Sequence, residues 1–416
     1  MLYSIGALKL LNMQESAKPL SYYQPEMIPR EEVLDREHKG KQLKIGVLAE
    51  SDHFETRIPI TPQGVELLLE NNHEVFLESN AGKGSRFTDN DYAEVGARII
   101  SEKNKVFEAD ILLKVSPLLP EEIEFLKPGQ TIITSLNLAT RNEGYFTRLM
   151  GKRVTAMAFE LLKDENHEFP VLRSMCEIAG TVSVRIGAQY LSNTGKGKGI
   201  LLGGITGITP AEVVILGAGT AAEYAARTVL GMGAVVKIFD HALPALQKIK
   251  HRIGREVFTS VMHPPVLKKT LETADLVIST LQRLDRRSFF LVPEEMIMGM
   301  KKGSVIIDIH IDQGSSFETG HPTSPADPVY EEHGVIHYMA QNLTAMVPRT
   351  ASIALSNVMI PLLLNSGRNG GIHQLIRDDL GARHGVYLFN GILTHEMIGN
   401  YFGISSNDID LLLAAF

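Results

Sequence analysis

A chain of 416 residues, 44% hydrophobic and 21% charged, exceeds one small core and implies two domains of a globular protein. Its net charge of −7 excludes nucleic acid as the main partner, and its one cysteine, Cys176, excludes an intrachain disulfide framework and a cysteine-based metal cluster, which fits a reducing cytoplasm and no metal. No apolar run reads as a membrane span, and residues 1–11 lack the basic leader and cleavage site of a signal peptide.

Residues 1–42, with two proline breaks and a charged run over 30–41, are expected to form an N-terminal arm outside the main fold. Short β-rich runs follow at 44–49, 74–78, 110–115, 131–136 and 154–159, alternating with helical stretches such as 64–70 and 121–126. Such alternation predicts parallel βαβ units with helices on both sheet faces. A long helix around 177–191 and a glycine-rich link over 195–207 lead into a second series of strands. Those strands are expected at 213–216, 235–239, 275–280, 304–309 and 335–338. After Pro348 an apolar helix over 352–364 suits a crossing back to the first domain. The expected fold is α/β, with two doubly wound Rossmann-like domains and a cleft between them. We assign 43–172 with 346–416 to a discontinuous substrate domain and 173–345 to an NAD-binding domain.

The sharpest local signal is Val213-Val-Ile-Leu-Gly-Ala-Gly-Thr-Ala-Ala-Glu223, followed by an apolar strand that ends in Asp240. Gly217 permits the turn out of the strand, and Gly219 lets a pyrophosphate approach the backbone at the start of a helix. Ala222 takes the third glycine position, a change tolerated where helix meets sheet. Asp240 suits a ribose diol and repels a 2′-phosphate, which favours NAD over NADP. Glu212 and Glu223, which flank the loop, read as solvated.

Several separated blocks carry a resemblance to the alanine dehydrogenase family, which includes the first subunit of nicotinamide nucleotide transhydrogenase. They are Glu55-Thr-Arg-Ile-Pro-Ile-Thr-Pro62, Asn80-Ala-Gly-Lys-Gly-Ser85, Leu112-Leu-Lys-Val-Ser116, Ile307-Asp-Ile-His-Ile-Asp-Gln-Gly314 and Asn342-Leu-Thr-Ala-Met-Val-Pro-Arg-Thr350. The resemblance covers roughly residues 43–405. It implies oxidation of L-alanine to pyruvate and ammonia, with a hydride passed from the α-carbon to NAD, by a homo-oligomer, dimer or hexamer. Within it, Arg57 is expected to grip the substrate carboxylate as a bidentate cation. Lys114, at the end of an apolar strand, is expected to donate to a carbonyl or imine, its pKa depressed by partial burial. Asp312 is placed beside the reacting carbon, and Asn342 and Leu343 on the far wall of the nicotinamide pocket. Cys176, in Ser174-Met-Cys-Glu-Ile-Ala-Gly180, stands near the cofactor phosphates and is expected to pack at a helix start.

One departure qualifies the resemblance. Where the dehydrogenases carry the histidine that acts as acid/base when water attacks the imine, this chain has Leu136-Asn-Leu-Ala139. Asn137 cannot exchange a proton near neutral pH, so assistance of about a hundred- to ten-thousandfold is at stake. His310 stands two residues before Asp312, and side chains two apart on a strand share a face. On that ground His310 either points into the cleft with Asp312 and restores the relay, or simply fills space near the strand end. Three readings remain: an alanine-type dehydrogenase or a reductive aminase of bulkier substrates, a transhydrogenase-like NAD(H)-binding subunit, and a non-catalytic NAD-binding relative. Retention of Arg57 and Lys114 puts the dehydrogenase first.

Overall fold

Strands without a polar face must be covered on both sides, and the computed structural model, which describes residues 40–282 and 291–415, is arranged accordingly. The expected arm at 1–42 falls almost wholly outside those residues. The first sheet uses β1 (Lys44–Val47), β2 (Glu74–Glu78), β3 (Arg98–Ile100), β4 (Ile111–Leu113), β5 (Thr131–Thr134) and β6 (Thr155–Ala158). The second uses β7 (Glu212–Leu216), β8 (Val235–Asp240), β9 (Phe258–Val261), β10 (Leu276–Ser279), β11 (Val305–Asp308), β12 (Val329–Glu332) and β13 (Val335–Tyr338). The chain then returns to the first sheet through β14 (Val386–Phe389) and β15 (Ile392–Leu393).

Alternate residues of one strand feed opposite cores. Ile111 and Leu113 pack on one face of the first sheet, Leu112 on the other. Val213 and Ile215 likewise oppose Val214 and Leu216 in the second. Each sheet therefore lies between two apolar layers, which is the α/β doubly wound architecture.

Strand order decides where ligands can sit. The first sheet runs β15-β14-β6-β5-β4-β1-β2-β3 and the second β12-β13-β11-β10-β7-β8-β9. In each the chain reverses its direction of travel across the sheet, between β1 and β4 and between β7 and β10. A crevice opens at such a switch point, outside the carboxyl ends of the strands. The sheets are not wholly parallel, as the βαβ reading implied. β14 pairs antiparallel with β6 and β15, and β12 antiparallel with β13. Short turns join β12 to β13 and β14 to β15, so these pairs carry no helix-spaced pattern to announce them.

The helix Pro348–Arg368 is long and apolar enough to cross a membrane by composition, contrary to the sequence reading. It is half-buried inside the protein, and Leu355, Met359 and Leu363 belong to the core of the first sheet. The helix Pro170–Leu191 crosses the helix Thr220–Gly231 at Gly180, where a Cβ would lie 2.2 Å from the Ala221 carbonyl oxygen. Gly180→Val must push these helices apart and is expected to cost about 1–3 kcal/mol, the usual range for overpacking. A guanidinium unfolding midpoint equal to that of the native chain would contradict this close crossing.

Candidate active site

β7 ends at Leu216, and Gly217 turns the chain with φ of +104°. Its N–H donates to the Phe239 carbonyl at 2.7 Å, and a Cβ there would lie 2.4 Å from Thr280 Oγ1. Only glycine fits between the two strands of the switch point. Gly219 has nothing within 4 Å of a built Cβ, so its outer side is an open cradle. No side chain caps the helix that starts at Thr220, which leaves its first N–H groups free for an anion. Ala222 is fully buried beneath this turn. Asp240 Oδ2 accepts from Ala218 N at 2.7 Å and Oδ1 from Ala242 N at 2.8 Å, so the acid braces the loop it faces.

These groups border a cleft of about 490 Å³ whose wall also includes Cys176, Thr280 and His310. That volume lies within the roughly 300–1,000 Å³ of small-molecule sites. Open cradle, uncapped helix and carboxylate together fit the pyrophosphate and ribose of a dinucleotide. Cys176 lies in the second turn of the helix Pro170–Leu191 and not at its start. Burial, then the charge of Glu177, pushes its thiol up to about 11, so it is no ready nucleophile.

The first sheet presents its cations at the same kind of edge. Arg57 follows β1, and its side chain is 12% exposed. Nε and Nη2 donate to the two carboxylate oxygens of Glu55 at 2.7 and 2.6 Å. Nη1 donates to Thr344 Oγ1 at 2.9 Å, and Asn342 Nδ2 donates to Glu55 Oε2 at 3.0 Å. Burial alone pushes the Glu55 carboxyl up, but Arg57's charge and hydrogen bonds hold it below its ordinary value. The expectation of a free bidentate fork is thus corrected, because Glu55 already occupies the Nε/Nη2 edge. The same contacts tie the loop after β1 to the segment after β13. Asn342 takes part through its exposed amide, whereas Leu343 is buried in the core of the second sheet and forms no open wall.

Lys114 follows β4, across the switch point from Arg57. Expected to be partly buried, it is instead 1% exposed and ion-paired. Its Nζ lies 2.7 and 3.0 Å from the two oxygens of Glu122. Glu122 also accepts from Lys103 Nζ at 2.5 Å, Ser51 Oγ at 3.3 Å and Leu119 N at 2.8 Å. Glu50 lies beside this group. Desolvation, then the charge of Glu55, raises its carboxyl to about 7.

Asn137 follows β5 in a left-handed conformation, φ 43°, with an exposed side chain. Glu160 follows the adjacent β6 and accepts from Leu136 N at 2.6 Å. The strand rule invoked for His310 fails, because β11 ends at Asp308 and His310 leads into the 3-10 turn Ile311–Gln313. His310 borders the dinucleotide cleft, and no hydrogen bond joins it to Asp312. Burial lowers its imidazole to about 4 and raises the carboxyl of Asp312. Asp308, fully buried, accepts from Ser316 N at 2.9 Å, and desolvation raises it to about 7.

Glu223 is 8% exposed and pairs with Arg227 at 2.9 Å, and Glu212 pairs with Lys237 at 2.7 Å, so neither is simply solvated. The sequence reading missed Glu55, Glu122 and Glu160 as site residues. Glu55 stood inside the quoted arginine block, two residues from a cation that had to be neutralised once buried. Glu122 carried a weaker signal, the first turn of a helix eight residues beyond a strand-end lysine.

Residues 46–179 match the N-terminal and 183–396 the C-terminal domain model of alanine dehydrogenase/PNT. Alanine dehydrogenase of Bacillus subtilis (strain 168) is 38% identical over 360 residues, covering 86% of this chain and 94% of that protein. Alanine dehydrogenase 2 of Staphylococcus aureus (strain USA300) is 37% identical, covering 88% and 99%. A solved L-alanine dehydrogenase superposes with a TM-score of 0.80 at 34% identity, covering 86% and 98%. A transhydrogenase from Sinorhizobium meliloti shares the fold, with a TM-score of 0.72 at 24% identity over 85% and 99%.

The Glu122 cluster makes a stability prediction with a sign. Burial pushes its carboxyl up, but Lys114's charge and the hydrogen bonds from Lys103, Lys114 and Leu119 hold it below 4.5. Stability from a depressed carboxyl is present above the ordinary value and is lost as the pH falls through the folded one. Glu122→Gln is expected to cost about 3–5 kcal/mol near pH 7, the range for breaking a buried pair. Denaturant melts against pH check this, with the gap from native closing below pH 4.5. A gap that does not change with pH would contradict the pairing.

Proposed function

We propose, for a chain that belongs to the alanine dehydrogenase/PNT family, NAD-dependent oxidative deamination of L-alanine to pyruvate and ammonia, and its reversal. One observation carries the reading furthest. The Arg57–Glu55 pair bonds to Thr344 and Asn342, which holds the first sheet's cation against the second sheet's carboxyl edge. A carboxylate bound near Arg57 therefore lies within the reach of both sheets.

Gly217, Gly219 and the free N–H groups at Thr220 hold the pyrophosphate, and Asp240 holds the ribose of NAD rather than NADP. The nicotinamide, when bound, accepts the hydride from the substrate's α-carbon. Arg57 attracts the substrate carboxylate, using N–H groups not spent on Glu55 or exchanging Glu55 for the substrate. Lys114 carries three N–H groups, and Glu122's two oxygens take two of them. The third is free to polarise the carbonyl or imine. Asp312 lies at the side where water and ammonia enter and leave, and Asn342 orients Glu55. The enzyme is assigned to the cytoplasm as a homo-oligomer, dimer or hexamer, in keeping with closed symmetry as the usual state of such enzymes.

The test is NADH formation from L-alanine and NAD at alkaline pH, beside a panel of other L-amino acids and an NADP control. Turnover with alanine supports the reading. Tight NAD binding without turnover on any amino acid would shift it to a transhydrogenase-like or non-catalytic role. Asp240→Ala should weaken NAD binding about tenfold or more, since hydrogen bonds to charged groups contribute about 1.5–3 kcal/mol. An unchanged ratio of NAD to NADP affinity in that variant would remove Asp240 from cofactor selection.

A further inference from the structure

If Asn137 cannot exchange a proton and His310 faces the dinucleotide cleft, the deamination still needs a group that can. Asp312 belongs to the turn after β11 on the second sheet; besides it, five other carboxylates lie near the carboxyl edges, and their surroundings separate them. Glu55 is locked to Arg57, and Glu122 to Lys114 and Lys103. Glu50 Oε1 accepts from Val115 N at 2.7 Å and Oε2 from Ser116 N at 3.2 Å, so both its oxygens are occupied. Asp308 is fully buried under Ser315 and Ser316. Glu160 differs. Its Oε1 accepts from Leu136 N at 2.6 Å, whereas Oε2 is enclosed and has no well-formed hydrogen bond among the described residues.

The place of Glu160 matters as much as its free oxygen. β5 and β6 are parallel neighbours, with Thr134 opposite Ala158, so the segments after them leave the sheet side by side. The carboxyl of Glu160 therefore sits under the Leu136-Asn137 turn, and the backbone of Asn137 faces it. Arg57, in the loop after β1, also acts on it, which places it within reach of the proposed carboxylate site. Behind it lie the phenols of Tyr387, on β14, and Tyr145, on the helix Glu143–Gly151, each influencing the other's ionisation. The two phenols interact with each other, and with Glu160 Oε2 they make three enclosed oxygens that have no well-formed hydrogen bond among the described residues. Buried polar groups of that kind are normally satisfied by ordered water.

We propose that Glu160 carries the proton that the family histidine carries elsewhere, with Tyr387, Tyr145 and enclosed water forming its inner hydrogen-bonded backing. The proposal rests on the deamination reading above. After hydride transfer the substrate is an iminium. A water oxygen bonds to its C2 while the C=N π pair falls back on nitrogen, and the proton released by that water goes to the Glu160 carboxylate. Glu160 returns it to the amine nitrogen. The C–N bond then breaks with its electron pair leaving on ammonia, which takes up the hydroxyl proton, leaving pyruvate, ammonium and an ionised Glu160. Burial first of all raises the Glu160 carboxyl, and the N–H groups of Leu136, Asn137 and Glu160 itself, with Arg57, act in the opposite direction. A raised carboxyl suits a group that must both take and return a proton.

The deciding variant is Glu160→Gln, which keeps shape and removes the proton. Steady-state turnover of alanine should fall about a hundred- to ten-thousandfold. NADH affinity should be kept, and a rapid burst of up to about one NADH per site should remain, because hydride transfer precedes the attack of water. The acid limb of the pH–rate profile should vanish with the carboxyl. Turnover within about threefold of native, with the same acid limb, would overturn the assignment to Glu160. A native protein that makes no NADH from alanine would instead overturn the deamination reading itself. Should Glu160→Gln fail to bind NADH, Glu160→Asp decides, since it restores a carboxyl on a shorter stem. Measurable turnover with a displaced acid limb supports Glu160 as the carrier, and an unmoved limb rejects it.

Discussion

A parallel sheet covered by helices on both faces leaves only its strand ends open to a ligand, and everything chemical in this protein follows from that constraint. Apolar layers close both faces of each sheet. Arg57, Lys114, Asn137 and Glu160 follow β1, β4, β5 and β6. Gly217, Thr280, Asp312 and Asn342 follow β7, β10, β11 and β13. The switch points fall between β1 and β4 and between β7 and β10, so the two proposed substrate cations flank one crevice and the glycine turn flanks the other.

Charges placed at such edges are partly withdrawn from water and have to be compensated. The protein does this with carboxylates drawn from nearby in the chain, Glu55 for Arg57 and Glu122 for Lys114. Such pairs add little net stability, but losing one partner leaves a buried charge exposed to the full desolvation cost. Their benefit is position. Lys114 is held by both oxygens of Glu122, and Arg57 is held by groups on both sheets. Glu160 stands apart because its enclosed oxygen has no such partner.

The doubly wound fold was legible because uniformly apolar strands alternate with helical stretches, as in 111–113 and 213–216. The glycine turn was legible because sterics allow one residue type at Gly217. Strands β3, β9, β12, β14 and β15 were not, since they are short, and several lie half-exposed or at antiparallel edges without a crossover helix. Residue roles were legible only where chemistry is local. Asp240 sits where strand, turn and acid imply it. His310 misled because a strand rule was carried past Asp308, where the chain leaves the sheet. Glu160 was invisible because its importance comes from Leu136 and Asn137, 23 or more residues earlier, and from Tyr387 on a returning strand.

The central claim is that substrate lies between the two carboxyl edges, with Arg57 and Lys114 on one side and the glycine turn on the other. A crystal structure with NADH and pyruvate tests it most directly. The account predicts pyruvate's carboxylate on Arg57, its keto oxygen within hydrogen-bonding distance of Lys114 Nζ, and the pyrophosphate on the backbone N–H groups that follow Gly217. Pyruvate bound elsewhere, with Arg57 Nε and Nη2 still closed on Glu55 and Lys114 touching only Glu122, would contradict it.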